Sequence, residues 1–143
     1  MLKICCLFIS VILSQSIEAA EQERSIALEP AISKQEHDAL LKQTESAFAL
    51  EVKTCNQSKA PTKICLLKAQ TKKTVAEANL KAKLNPTLEN QVDARIAAAE
   101  AAYQVNVELC AEKSAKQECV NTANLAKDEA IAKARAFTKS SGQ

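Results

Sequence analysis

Aromatic residues and glycine are nearly missing from these 143 residues: there is no Trp, one Tyr, three Phe and a single Gly. With so few rings the chain cannot build an aromatic core, and with one Gly it cannot form a Gly-rich phosphate loop. The only His, His37, falls in the first turn of a predicted helix, with no Ser-centred motif beside it. It reads as a solvated surface residue and not as an acid–base catalyst. Neither an HExxH spacing nor an EF-hand loop occurs. Charge of one sign is also scarce, since 19 basic and 17 acidic residues leave a net +2 spread along the chain. That balance gives no electrostatic reason to expect nucleic acid or an anionic membrane as partner.

What is present begins with an export pattern. Lys3 opens a short positive start, Ile4 to Leu13 is apolar apart from Ser10, and Ser14 to Ala20 is more polar and ends in two alanines. These zones are the ones a secretory signal needs, so residues 1–20 are expected to be a cleavable signal peptide. The expected cut follows Ala20, with Ser16 and Ala19 as alternatives. The apolar run is about half of the roughly 20 residues a membrane span requires, so no stable anchor is expected after cleavage. Cys5 and Cys6 precede most of that run, which disfavours a lipoprotein, and they leave with the signal. Its removal takes one basic and one acidic residue and keeps the net charge.

The remainder has the length of one domain and relies on Ala, Leu, Val, Ile and Lys, which favours slender, closely packed helices. Residues 21–32 are polar, contain Pro30 and show no period, as a flexible leader would. Ser33 with Glu36 makes a capping-box pattern, and Leu41, Phe48, Val52 and Cys55 follow at helical spacing. Asn56 to Pro61 marks a turn. A second stripe, Leu66, Ala69, Ala76, Leu80 and Leu84, ends at Asn85 and Pro86, where Asn85 is expected to cap a third helix with Pro86 in its first position. Leu88, Val92, Ile96, Ala99, Tyr103, Val107 and Cys110 form the clearest stripe. Ser114 with Gln117 suggests a break near Lys113, after which Cys119, Ala123, Ala126, Ala130, Ala134 and Phe137 trace a fourth helix. Residues 139–143 are expected to be a disordered tail.

The four helices are two copies of one unit. A shift of 55 positions carries Phe48 to Tyr103, Val52 to Val107 and Cys55 to Cys110; a shift of 54 carries Cys65 to Cys119, Ala69 to Ala123, Lys73 to Lys127 and Ala76 to Ala130. Agreement in an aromatic, a Val and two Cys exceeds what helical periodicity supplies, and it defines tandem repeats at 33–84 and 85–138. Phe48 and Tyr103 share that register and are expected to pack in the core rather than stack on a ligand.

Four thiols in an exported chain read first as two disulfides. In one unbroken helix Cys55 and Cys65 would stand ~15 Å apart, against the ~5.5 Å a disulfide spans, and Pro61 breaks the helix between them. A turn lets each pair face across the base of a hairpin, which favours Cys55 with Cys65 and Cys110 with Cys119. The competitor joins the pairs crosswise, between two continuous helices. A four-thiolate zinc site is disfavoured by the long spacings, and a redox pair by the lack of C-x-x-C.

The segments AFALEVKTCNQSKAPTKICLLKAQ and AAYQVNVELCAEKSAKQECVNTAN, with an aromatic seven residues before one Cys and a second Cys nine or ten further on, resemble small exported Ala/Lys-rich proteobacterial proteins of unknown function. The resemblance covers nearly all of the chain after the signal and implies a periplasmic address, with no activity and no site residues. Such proteins usually carry a Gly or Asn in the turn between the paired cysteines, and neither copy here has that Gly.

The expected fold is all-α, two tandem helical hairpins each pinned by a disulfide near its turn. The expected function is that of a periplasmic or secreted, non-enzymatic protein in a structural, interaction or stress-related role, without catalytic, cofactor or metal residues. Its rival is a holdase-type chaperone that binds unfolded clients on an apolar helix face exposed as hairpins separate. The partner class left by either reading is another protein.

Overall fold

The computed structural model describes residues 30–58 and 62–140. The expected signal, residues 21–29 of the leader, Pro61 and the last three residues of the tail lie outside them. The described residues form four α-helices and no strand: α1 (Lys34–Gln57), α2 (Thr62–Leu84), α3 (Leu88–Cys110) and α4 (Lys116–Ser140). Two tandem hairpins, α1–α2 and α3–α4, match the fold class expected from the sequence.

The helix ends show how local sequence sets these bounds. Ser33 is extended, and its Oγ accepts the Glu36 backbone N–H at 3.1 Å, so Ser33 caps α1 where expected. Just before it, the Ile32 N–H donates to the Lys83 carbonyl at 3.0 Å. That bond satisfies one of the carbonyls left open in the last turn of α2. Helix α3 starts two residues later than expected. The Asn85 N–H closes α2 on the Lys81 carbonyl at 3.0 Å, and Thr87 is the cap, its Oγ1 accepting the Asn90 N–H at 3.1 Å. Buried Asn90 also reaches back, donating through Nδ2 to the Asn85 carbonyl at 2.8 Å. Asn85 and Pro86 are therefore the linker, and the Thr87–Asn90 pair begins the helix.

The second turn needs no glycine. Ala111 keeps right-handed helical geometry, the Lys113 N–H donates to the Cys110 carbonyl at 3.1 Å, and no described residue has positive φ. Gln117 does not return to Ser114 but donates to Asn121 Oδ1 at 3.1 Å, and the Cys119 N–H closes the first turn of α4 on the Ala115 carbonyl. Helix α4 then continues to Ser140, two residues beyond the expected boundary of the repeat.

The helices are laid side by side and antiparallel. Among the described residues each helix touches only its neighbours in sequence: α1 meets α2, α2 meets α3, α3 meets α4, and no other pair of helices is in contact. The result is a layer one helix thick and not a closed four-helix bundle. Inner helices α2 and α3 must consequently bury two sides each, which is why α3 buries both Val92 and Ala99 on one side and Ala94 and Ala101 on the other, each pair seven residues apart. The seams are built mainly from alanine: Ala69, Ala82, Ala94, Ala99, Ala101, Ala123 and Ala134 are buried, with Leu80 and Val92 the largest aliphatic side chains among them. Thr71 sits in the α2–α3 seam with its hydroxyl donated to the Lys68 carbonyl, and no described buried side-chain polar atom lacks a partner. Alanine buries little area, and at roughly 25 cal/mol per Å² it contributes little per residue. A fold of this kind gains much from crosslinks.

Candidate functional site

The four cysteines named from the sequence are brought together two by two. Cys55 bonds to Cys65 and Cys110 to Cys119, with Cα separations of 5.5 and 5.6 Å. Each disulfide joins the last turn of one helix to the first turns of the next, so the pairing expected from the turn holds and the crosswise alternative does not. Cys55 and Cys110 are 3% and 1% exposed, while their partners are half-buried at the surface. The four sulfurs are paired in these two bonds. Such bonds persist in oxidising, non-cytoplasmic compartments.

Beside each disulfide lies an open cleft, and the two clefts share several equivalent positions. The first, about 360 Å³, is lined by Leu50, Glu51, Thr54, Lys68 and Lys72 around Cys55–Cys65. The second, about 430 Å³, has Asn106 in place of Glu51, Leu109 in place of Thr54, Thr122 in place of Lys68 and Ala126 in place of Lys72 around Cys110–Cys119. The two hairpins thus place a cleft beside each disulfide and line it with different side chains. In the first cleft Lys72 Nζ donates to Glu51 Oε1 at 2.9 Å; the second has Ala126 and Asn106 at those two places, and its charged lining residues are Lys113 and Glu118 instead. A third cleft between α2 and α3 shares Lys68 and Lys72 with the first and Asn106 with the second. All three therefore open on one face of the helical layer.

The opposite face carries a repeated pairing that the sequence showed only as an aligned lysine. Lys73 Nζ lies 5.2 Å from the Phe48 ring centroid, and Lys127 Nζ lies 4.5 Å from that of Tyr103. Both rings are half-buried, and the lysines cover the faces a stacking ligand would need. A third ring contact, Arg95 over Phe137 at 3.7 Å, clamps the far end of the second hairpin.

The titratable groups form no cluster. Among the described residues no group of three His, Cys, Asp or Glu side chains is placed to hold a metal ion. His37 is not the solvated residue expected: its side chain is 19% exposed, it lies on the side of α1 that meets α2, and Nδ1 is 3.2 Å from Asp38 Oδ1. Glu129 is held below the ordinary glutamate range by a hydrogen bond from Lys133 and by that residue's positive charge. Both groups lie on the solvated side of α4. No helix of the described residues is long and apolar enough to cross a membrane. Comparison with known proteins finds no matching family model, no matching curated sequence and no matching solved structure.

Proposed function

We propose that this chain is an exported, periplasmic or secreted protein that works by presenting surface and not by catalysis. The observation that carries the reading is the arrangement of the two disulfides, each closing the turn of one hairpin in a layer one helix thick. Such crosslinks hold open a broad two-sided surface that an alanine core alone would hold weakly. The lysines over Phe48 and Tyr103 are used for packing, and the carboxylates pair with lysines along helix faces in the manner of solvated surfaces. The resemblance to exported Ala/Lys-rich proteins supports the same compartment.

The test is to isolate the protein from a periplasmic fraction with its thiols blocked before lysis. An amino terminus near residue 21 and four cysteines inaccessible to alkylation support the reading. An unprocessed chain with free thiols, or turnover of a substrate abolished by a point substitution, overturns it. Crosslinking in the same compartment would identify the partner.

The joined clefts favour one second reading, a holdase for unfolded polypeptide. Leu50, Val105 and Leu109 lie along that band with exposed Ala102 and Ala126, and an extended apolar segment fits such a surface. Suppression of client aggregation at near-stoichiometric amounts, lost in Leu109→Lys, would support it. Equal suppression by wild type and variant would remove the cleft from that role.

A further inference from the structure

The layer has two open sides, the outer edges of α1 and α4, and these edges fit each other. Stepping by three and four residues, the edge of α1 away from α2 carries Gln35, Ala39, Lys42, Ser46 and Lys53, with Leu50 at its margin on the cleft face, all exposed. The edge of α4 away from α3 carries Asn121, Leu125, Asp128, Ala132 and Ala136, also all exposed, with Glu129 and Glu118 at its margins, the latter where the edge meets the second cleft. One edge is basic and the other acidic. The two most exposed large apolar side chains of the described residues, Leu50 at 64% and Leu125 at 72%, lie one on each.

The structure already contains the interface these edges would make. Helices α2 and α3 are the return helix of one repeat and the first helix of the next, and they pack with Lys63 on Glu108 at 2.7 Å and Lys81 on Asp93 at 3.7 Å. Helix α4 is the return helix of the second repeat and α1 the first helix of the first. Carried over by the repeat offsets, the Lys63–Glu108 pair falls on Gln117 and Lys53, so the α2–α3 register brings Glu118 of α4 within one residue of the place facing Lys53 of α1, and likewise Glu129 to Lys42 and Leu125 to Ser46, one turn from Leu50. Lys42, Lys53 and Glu118 have no ion-pair partner among the described residues, and Glu129 holds only the exposed, one-turn pair with Lys133.

We infer that a second copy of this chain docks α1 onto α4 in the α2–α3 register, so that the array of helices continues from one molecule into the next. The contact is heterologous, one kind of edge on the other, and each added copy presents a fresh edge. Assembly is therefore open-ended, as in repeat proteins whose terminal units lack a polar cap. This inference rests on the helical array and not on the export reading, and it stands or falls separately.

Sedimentation of the disulfide-bonded protein tests it. The wild type is expected to form a concentration-dependent series of species, while K42E/K53E and E118K/E129K each sediment as monomers, because each then carries two edges of like charge. Mixing the two variants in equal amounts restores the series, since each variant's altered edge matches the other's. Circular dichroism and alkylation confirm that both are folded and oxidised. As a measure needing no variant, carbodiimide coupling of mixed ¹⁵N-labelled and unlabelled wild type is expected to join Lys53 to Glu118 and Lys42 to Glu129 between labelled and unlabelled chains. A wild type that stays monomeric at its highest soluble concentration, assembly indifferent to both variants, or couplings only between like edges overturns the inference.

Discussion

Lys127 Nζ stands 4.5 Å above the Tyr103 ring and 3.6 Å from Asp128 Oδ1, and its side chain is 25% exposed. Lys73 is placed in the same way, 5.2 Å from the Phe48 ring and 3.6 Å from Glu77 Oε1, with the same exposure. Two hairpins with different aromatic residues and different carboxylate partners have kept one lysine across the seam. The stem of each lysine covers apolar surface while its ammonium stays hydrated and lies over a ring.

Replacing that lysine by Met keeps the stem and removes the charge. Lys127→Met is expected to lower the stability of the oxidised protein by about 0.5–1 kcal/mol, the range for a partly exposed cation over a ring. Lys73→Met should lose less, because its ammonium is farther from the ring. Urea unfolding followed by circular dichroism measures both, and two variants as stable as wild type would reduce the pairing to simple packing.

Replacing both cysteines of one disulfide by Ser is expected to cost ~2–3 kcal/mol in either hairpin, since the closed loops span sequence separations of 10 and 9. The two losses should differ in place. Helix α1 has α2 as its sole neighbour and α4 has α3, so each becomes the loosest element once its crosslink is gone. Hydrogen exchange should show α1 amides losing protection in Cys55→Ser/Cys65→Ser and α4 amides in Cys110→Ser/Cys119→Ser, with α2 and α3 largely retained. Uniform loss across all four helices would mean that the layer unfolds as one unit.

The seams within each hairpin were legible in the sequence and the seam between hairpins was not. Cys55, Ala69, Leu80, Val92, Ala99, Cys110, Ala123 and Ala134 lie on the stripes read from spacing and are buried, whereas Ala126 and Ala130 of the α4 stripe are exposed. Thr71, Ala82, Ala94 and Ala101, the other side of α2 and α3, lie on none of those stripes. In a chain where alanine also fills solvated faces, such as exposed Ala98, Ala102 and Ala126, an alanine carries no contrast between inside and outside. The cysteines were readable because a disulfide has a fixed reach and a turn is visible as Asn, Ser and Pro. The clefts were not, because they depend on which side chains the two repeats exchanged at equivalent places, Glu51 for Asn106 and Lys72 for Ala126.

Glu129 offers a measure of how little the surface pairs stabilise this fold. Its folded pKa lies below the ordinary value because Lys133 donates to it and is positively charged. A depressed carboxylate stabilises the fold above its unfolded pKa, and the contribution fades as pH falls through the lower, folded value. The pair is fully solvated, so the effect is small and screened by salt. An NMR titration should find the Glu129 carboxyl midpoint rising in Lys133→Met and in 1 M salt, with almost no change in the melting temperature at neutral pH. An unmoved midpoint in Lys133→Met would assign the shift to another source.

Among the described residues the α2–α3 seam is the sole helix contact between the two hairpins, so enlarging one alanine there should separate them while each stays pinned by its own disulfide. Ala101 is 8% exposed, opposite the buried Thr71, whereas the next residue, Ala102, is exposed on the cleft face. Ala101→Leu adds three carbons where two helices meet closely and is expected to cost ~1–3 kcal/mol, and Ala102→Leu should stay within about 0.5 kcal/mol of wild type. The form of unfolding should change as well. With the inter-repeat contact weakened, neighbouring units of a linear array lose their coupling, and a single urea transition should broaden or divide into one per hairpin. Equal stabilities for Ala101→Leu and Ala102→Leu, with one sharp transition in both, would show that the hairpins are coupled by something other than this seam.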